Sequence, residues 1–462
     1  MPRFLLPFLA LVAAAPARAA ERPNVVFICS DDQRFDTIRA LGNPHIETPN
    51  LDAMVSGGCT FTHTFCMGAM QGAVCVPSRA MFLSGRSLFH INDQLKGIPT
   101  WPEVFRKAGY HTAGIGKWHN GPASYAKSFD SGGPIFFGGM GDQNKVSIYT
   151  FNPAGTYPKS DLKTGKDYST TMFAESAIDF VNGYKGDKPF FLYVTLTVPH
   201  DPRTPPAGWE KKYDPAKLPL PKNYLPQHPF NNGEMLVRDE KLLGWPRTET
   251  AIRKETADYY AMISHMDSQI GRIRDAITKT GRGNNTVVIF TSDHGLALGS
   301  HGLLGKQNLY DHSTRPPLVI TGPGIPAGKR SGAMVYLFDL FPTVAEMCGV
   351  ELPDGVDGKS VVPVMAGKQE KVRDVVFGAY RQFQRCVRTD SWKLIRYPHI
   401  NRTQLFDLKA DPDETKDLAA DPAFADKVKE MTKRLVDQQK LHGDTQPLST
   451  DKPAPMQIEL KK

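Results

Sequence analysis

"NVVFICSDD", residues 24–32, decides how the rest of the chain is read. Its first half is an apolar run rich in β-branched side chains with no polar alternation. That describes a strand buried on both faces, and such strands belong to parallel sheets covered by helices. The run ends in two adjacent carboxylates, Asp31 and Asp32. A single Asp after a strand is an ordinary turn or helix cap. Two side by side repel each other and need a compensating cation.

Working outward, "TVVIFTSDHG" (residues 286–295) repeats the pattern and ends in Asp293 and His294. "HTAGIG" (111–116), "PFFLYVTLT" (189–197) and "PLVITG" (317–322) are further short strands bounded by Gly, Pro or polar residues. Between them, "TPNLDAMVSGG" (48–58) and "TWPEVFRKAG" (100–109) place a proline at a helix start and a glycine past its end. Tyr259, Ile263, Met266, Ile270, Ile273 and Ile277 recur at steps of three and four, the stripe of a long helix packed on the sheet. The expected fold is therefore α/β, a large mixed and mostly parallel sheet sandwiched by helices.

After about residue 370, "DVVFGAY", "CVRTDSWKLIRYP" and "TQLFDLKADPDE" read as antiparallel strands followed by a polar helix. The expected division is a catalytic domain over residues 21–370, a smaller C-terminal α+β subdomain with an antiparallel sheet over 371–445, and a tail over 446–462. Residues 201–250, rich in Pro and charge, are expected to run over the surface and frame a site.

Residues 1–20 have the form of an export signal: Arg3, the apolar run "FLLPFLALVAAA", then "ARAA" before Glu21. No later run approaches the roughly 20 apolar residues of a spanning helix, so a periplasmic or secreted protein without a membrane span is expected. The net charge of +8 suits an anionic partner. Basic residues are spread rather than clustered, which argues against nucleic acid. The six cysteines, Cys29, Cys59, Cys66, Cys75, Cys348 and Cys386, match neither a disulfide scaffold nor a zinc site. If one has another role, five remain, an odd number that argues against complete pairing.

Ligands of open α/β sheets bind beyond the carboxyl ends of the strands, so the polar residues there are the ones to inspect. Asp31, Asp32, Asp293 and His294 form an oxygen-rich set suited to Ca²⁺ or Mg²⁺ rather than zinc. "GKWH" supplies Lys117 and His119, "VPH" supplies His200, and "LGSHGLLGKQNLYDH" supplies His301 and Lys306. Each has an ordinary reading alone, as a surface lysine or a satisfied loop histidine.

Taken together, the motifs "SDD", "CVPSR" with "AMFLSGR", "GKWH", "VPH" and "SDHG…HGLLGK" occur in the order found in the type I sulfatases of the alkaline phosphatase superfamily. The sequence resembles that family over nearly the whole chain. The resemblance implies an alkaline phosphatase-like fold and conversion of Cys75 to formylglycine by a maturation enzyme. It also implies a divalent cation held by Asp31, Asp32, Asp293, His294 and the residue-75 side chain. Arg79, Lys117 and Lys306 would offset charge on the sulfate and on residue 75. The helix start near Pro77 would add a positive dipole end. His200 would protonate the leaving alcohol, and His119 would take a proton from the hydrated aldehyde.

His294 stands where one common family pattern has asparagine, which bears on the choice of ion. The expected substrate is a sulfated carbohydrate, attacked at a chain end or in an oligosaccharide. Asp201, Arg203, His312, Arg381 and Arg385 are candidate sugar readers. The rival readings are a phosphonate monoester or phosphodiester hydrolase of the same superfamily, and a non-catalytic sulfated-glycan-binding protein.

Overall fold

The computed structural model describes residues 22–460, so the expected export signal lies outside the described residues. Seven of its eight central strands keep a parallel partner. The sheet runs in the order Lys329–Tyr336, Cys59–Phe65, Leu318–Thr321, Thr286–Ser292, Asn24–Ser30, Phe190–Thr195, His111–Lys117, Ser131–Phe136. Only Leu318–Thr321 lies antiparallel to both of its neighbours. The run that opens the sequence is the centre of the sheet, and all seven of its residues are buried. Its Ser30 pairs in register with Ser292. The two acidic strand ends therefore sit side by side.

Each face is sealed by its own apolar cluster. On one, Phe27 and Tyr193 stack at 5.3 Å beside Trp101 and Phe82. Trp101 opens the helix Trp101–Lys107, which carries a full Thr100–Glu103 capping box. On the other, the helix Glu249–Lys279 lays Tyr259, Ile263, Met266, Ile270 and Ile273 against the sheet. Aromatic and aliphatic burial at this density fixes the strand positions closely. Such rigidity is what a site assembled from several strand ends requires.

The second sheet is antiparallel through Val376–Tyr380, Gln384–Arg388, Trp392–Tyr397 and Arg402–Asp407, followed by the helix Ala425–His442. Its fifth strand, Gly68–Ala69, pairs parallel with Val376–Tyr380 and comes from just before Cys75. The small sheet is thus joined to the large body beside the "CVPSR" motif. Among the described residues no helix is long and apolar enough to cross a membrane.

One expectation is corrected here. Residues 201–250 do not simply run over the surface: His228, Phe230, Met235, Asp239, Glu240 and Arg247 are buried. Glu240 and Arg247 form a buried ion pair. Charge and proline content made the whole segment look solvated, but Asp201, Arg203, Glu240 and Arg247 are paired inward. The last described residues also pack, with Asn231 and Ala454 donating backbone hydrogen bonds to the Met456 and His399 carbonyls.

Candidate active site

The helix Cys75–Ser84 starts two residues before Pro77, with Cys75 as its first residue and no side-chain cap. Pro77 lacks an N–H, so it leaves no donor unsatisfied in the first turn. Apart from Val76 the whole helix is buried. The positive end of its dipole therefore opens at Cys75 in a low-dielectric setting. Ser78 Oγ donates to the Asp293 carbonyl at 2.6 Å, tying this helix to the strand end that carries the acid.

Four adjacent strand ends, the Cys75–Ser84 helix and the loop after Thr286–Ser292 deliver the other groups. Lys117 Nζ donates to Asp31 Oδ2 at 2.5 Å and to the Gly139 carbonyl at 2.6 Å. Arg79 Nη2 stands 3.1 Å from Asp293 Oδ2, and its Nη1 donates to the Lys117 carbonyl at 3.2 Å. Lys306 Nζ reaches both Asp32 oxygens at 2.9 and 3.0 Å, Cys75 Sγ at 3.3 Å and His200 Nε2 at 2.9 Å. His294 Nε2 is 3.3 Å from Cys75 Sγ and 3.4 Å from Asp32 Oδ1. His294 Nδ1 meets the Gly295 carbonyl at 2.9 Å, which fixes an N–H there. Burial opposes its charge, but Asp293, Cys75 and Asp32 raise the imidazole to about 10, so Nε2 would become a ligand only by giving up its proton to a cation.

Local backbone geometry serves the same convergence. Gly116, at φ +93°, sits at the irregular register between His111–Lys117 and Ser131–Phe136. A Cβ there would collide with the Thr195 carbonyl. Only glycine permits this turn, which presents Lys117 to Asp31. His119 and Asp32 themselves adopt left-handed backbone, at φ 64° and 69°. For non-glycine residues this costs energy that the surrounding packing must offset.

The electrostatics favour negative charge at residue 75. Burial opposes ionisation of the Cys75 thiol, yet Lys117, Lys306 and His294 hold it well below the usual thiol range. Cys29, equally buried, is pushed well above that range by desolvation. The two active-site histidines are driven apart. Burial and Lys117 lower His119 against its hydrogen bond to Cys75. Burial would also lower His200, but Asp32 overrides it and raises the imidazole to about 9. Asp32 lies against both Lys306 and His200, so it holds these two cationic groups together.

Two overlapping ligand sets occur: Asp31, Cys75, Asp293 and His294, and Asp31, Asp32, Cys75 and His200, each with donor atoms within 4.8 Å of one another. These residues fit a hard divalent cation. Asp31 Oδ1 is buried without a hydrogen-bond partner, and burial pushes the Asp293 carboxyl up to about 7 although His294 and Arg79 pull it down. A bound cation would relieve both costs.

The expected catalytic and metal-binding residues are thus brought together, and of the outlying candidates Asp201 joins them. Arg203 is paired with Glu255 at 2.6 Å, and Arg385 is held by Asp444 at 2.6 and 2.9 Å. Arg381 meets Glu234 at 2.5 Å. His301 is stacked on Tyr310 at 3.8 Å and bonds the Glu414 carbonyl and His312, away from Cys75. Asp201 is buried beside His200 Nδ1 at 3.2 Å and is ion-paired with Arg238. The sequence reading passed over Asp239, Glu240 and Gln307. The contacts that tie Asp239 to Gln307 and Glu240 to Gly305 span more than sixty residues of chain, beyond the reach of spacing arguments.

A parallel sheet that gathers buried carboxylates, histidine and three cations around one side chain at a helix N-terminus defines a metal-assisted hydrolase of anionic esters. The sulfatase family model matches residues 23–350, and the chain belongs to that family. A second model, described as N-sulphoglucosamine sulphohydrolase, C-terminal, matches residues 299–441. The chain is 26% identical to an N-acetylglucosamine-6-O-sulfatase from Bacteroides thetaiotaomicron, over 96% of this chain and 91% of that protein. A solved structure in complex with its substrate D-glucosamine-2-N,6-O-disulfate superposes with a TM-score of 0.77 at 26% identity, covering 92% of this chain and 99% of the other. The phosphonate monoester hydrolase from Silicibacter pomeroyi shares the fold at a TM-score of 0.72 and 23% identity, over 94% and 99% of the two chains. The protein is therefore a sulfuric ester hydrolase of alkaline phosphatase-like fold.

Proposed function

We propose that this sulfatase removes sulfate from a sulfated carbohydrate, with Cys75 matured to formylglycine. The observation that carries the site assignment is the convergence of His294 Nε2 and Lys306 Nζ, each at 3.3 Å, on the side chain of residue 75. Formylglycine, made from Cys75 by a maturation enzyme during biosynthesis, would supply a hydroxyl nucleophile there once water has added to its aldehyde. Asp31, Asp32, Asp293, His294 and residue 75 would hold a divalent cation, Ca²⁺ by preference with Mg²⁺ as the alternative, which polarises the sulfate.

The remaining chemistry belongs to the chain's own side chains. Arg79, Lys117 and Lys306 offset charge around the sulfate. His200, held through Nδ1 and beside Lys306, gives its proton to the departing sugar oxygen. His119 contacts Cys75 and keeps Nδ1 unpartnered, a position from which it accepts a proton during sulfate release. The sugar sulfates named for the two similar proteins support the substrate class. Export to the periplasm or outside through residues 1–20 is part of the same proposal.

Turnover of a 6-sulfated amino sugar, an aryl sulfate and an aryl phosphate diester tests the reading, with mass spectrometry of the Cys75 peptide. Expected are formylglycine and preference for sulfate esters. Preference for the diester would replace it with the phosphonate-hydrolase reading. An unmodified thiol that binds sulfated sugar without sulfate release would make the chain a glycan-binding protein.

A further inference from the structure

Three consecutive residues of the 201–250 segment, Arg238, Asp239 and Glu240, each reach a different support of the same two active-site groups. Arg238 clamps Asp201 through two hydrogen bonds, Nη1 to Oδ2 at 2.6 Å and Nη2 to Oδ1 at 3.1 Å. Asp201 in turn flanks His200: its carbonyl lies 2.8 Å and its Oδ1 3.2 Å from His200 Nδ1. Arg238 also donates through Nε to Asp239 Oδ1 at 3.0 Å. Asp239 Oδ2 accepts from Gln307 Nε2 at 2.8 Å, and Gln307 Oε1 accepts the backbone N–H of Lys306 at 3.0 Å.

Glu240 grips the same loop from the other side. Its carboxylate accepts the N–H groups of Leu304 and Gly305, at 3.0 and 2.8 Å, while Arg247 balances its charge. Three successive amides, at residues 304, 305 and 306, are thereby fixed by side chains of this network. Gly305 packs so closely that a Cβ would lie 2.8 Å from Asp239 Cβ. Gln307 Nε2 additionally donates to the Gly72 carbonyl at 3.0 Å, three residues before Cys75. Asp239 and Glu240 are buried, and Arg238 is the half-exposed outer member.

We infer that Arg238, Asp239 and Glu240 are positioning residues for the leaving-group side of the reaction, setting the His200–Lys306 contact of 2.9 Å from outside. The inference rests on the proposed acid role of His200. Misplacing the general acid by a fraction of an ångström weakens proton donation most where the leaving group is basic, while the Lys306 end of the network also touches Cys75 and Asp32. Its signature is loss that grows as the leaving group becomes more basic. A merely structural role lowers all rates alike.

The test uses matured enzyme, with rates normalised to the formylglycine content of each preparation. The substrates are aryl sulfates from 4-nitrophenyl to phenyl and one alkyl sulfate. Arg238→Ala is expected to lower kcat on the alkyl sulfate by about tenfold or more and on 4-nitrophenyl sulfate by about threefold or less. Asp239→Asn should follow the same trend, and Arg238→Lys should recover part of the loss. Equal loss on every substrate, or no loss, overturns the inference. His200→Ala on the same series separates the two readings. A steep series for His200→Ala with a flat one for Arg238→Ala sinks the positioning role alone. A flat series for His200→Ala removes the acid assignment and the inference with it.

Discussion

Two buried ionic clusters occupy this molecule, and they differ in what their charges face. The first surrounds Cys75, with Asp31, Asp32 and Asp293 against Lys117, Lys306 and Arg79. The second lies where the small sheet meets the large body. There Asp311 receives Lys393 at 2.8 Å, Arg315 at 3.2 Å and Arg388 at 3.4 Å, and Lys393 also meets Glu414 at 2.6 Å. In the second cluster the cations simply surround the acids. In the first, lysine and histidine side chains turn onto one sulfur. Burial and charge are common to both; convergence on an atom that can react marks the functional one.

The largest effect that sharpens the comparison is at residue 75. Cys75→Ala should abolish sulfate ester turnover, by about 10⁴-fold or more, with the melting temperature nearly unchanged. Cys348→Ala, at another buried cysteine, should leave activity and lower stability by ~1–2 kcal/mol. Substantial turnover by Cys75→Ala would remove the centre from the first cluster. Next comes Asp31→Asn, expected to cost about 10²-fold or more in kcat together with bound divalent cation measured by elemental analysis. Retention of full metal and activity would show that the unpartnered oxygen is incidental.

The central strand, the Asp31–Asp32 and Asp293–His294 pairs and the helix that begins at Cys75 were legible because each is local. An apolar run ending in carboxylates announces a strand and its end within nine residues. The stretch "LGSHGLLGKQNLYDH" shows where legibility stops. It sends Lys306 to Cys75, but His301, Asp311 and His312 to the other cluster, and nothing in its spacing separates the two destinations. Polarity misled in the same way over residues 201–250. Glu240 looks like a solvated charge until the amides of Leu304 and Gly305 close on it. A side chain's burial depends on what distant chain brings to it, and a periodicity argument sees only neighbours.

The second cluster can be broken without touching the first. Lys393→Met leaves Asp311 and Glu414 buried with one cation fewer, and removing one partner of a buried pair typically costs ~3–5 kcal/mol. The expected outcome is a large drop in denaturation midpoint, with kcat of the molecules that remain folded within about twofold of the parent. A variant as stable as the parent would mean that these charges were screened rather than buried. A variant that is stable but inactive would mean that the two clusters are coupled.

The smallest effect is a pH dependence read at the histidines of the second region. Burial holds His228 down to about 3 and His301 down to about 4, although the carbonyls of His301 and Glu414 respectively favour their charged forms. His312 is driven well below the ordinary range by burial, with His301 and Arg34 beside it. In the unfolded chain each imidazole takes up a proton as pH falls through about 6.5. Below that point the unfolded state binds more protons than the fold, so stability present at neutral pH is lost on acidification, by ~1.4 kcal/mol per pH unit for each histidine until its folded value is reached. At pH 5 this amounts to ~2 kcal/mol for His228 and the same for His301. His301 also sits at φ 54°, a conformation asparagine tolerates, so His301→Asn removes the titration while keeping a hydrogen-bonding side chain. Denaturant unfolding at pH 7 and pH 5 should show a smaller acid loss in His301→Asn than in the parent. If the parent loses nothing between those pH values, or the variant loses as much, the histidines of this cluster are not shielded, and the contrast between a closed cluster and an open one fails on its closed side.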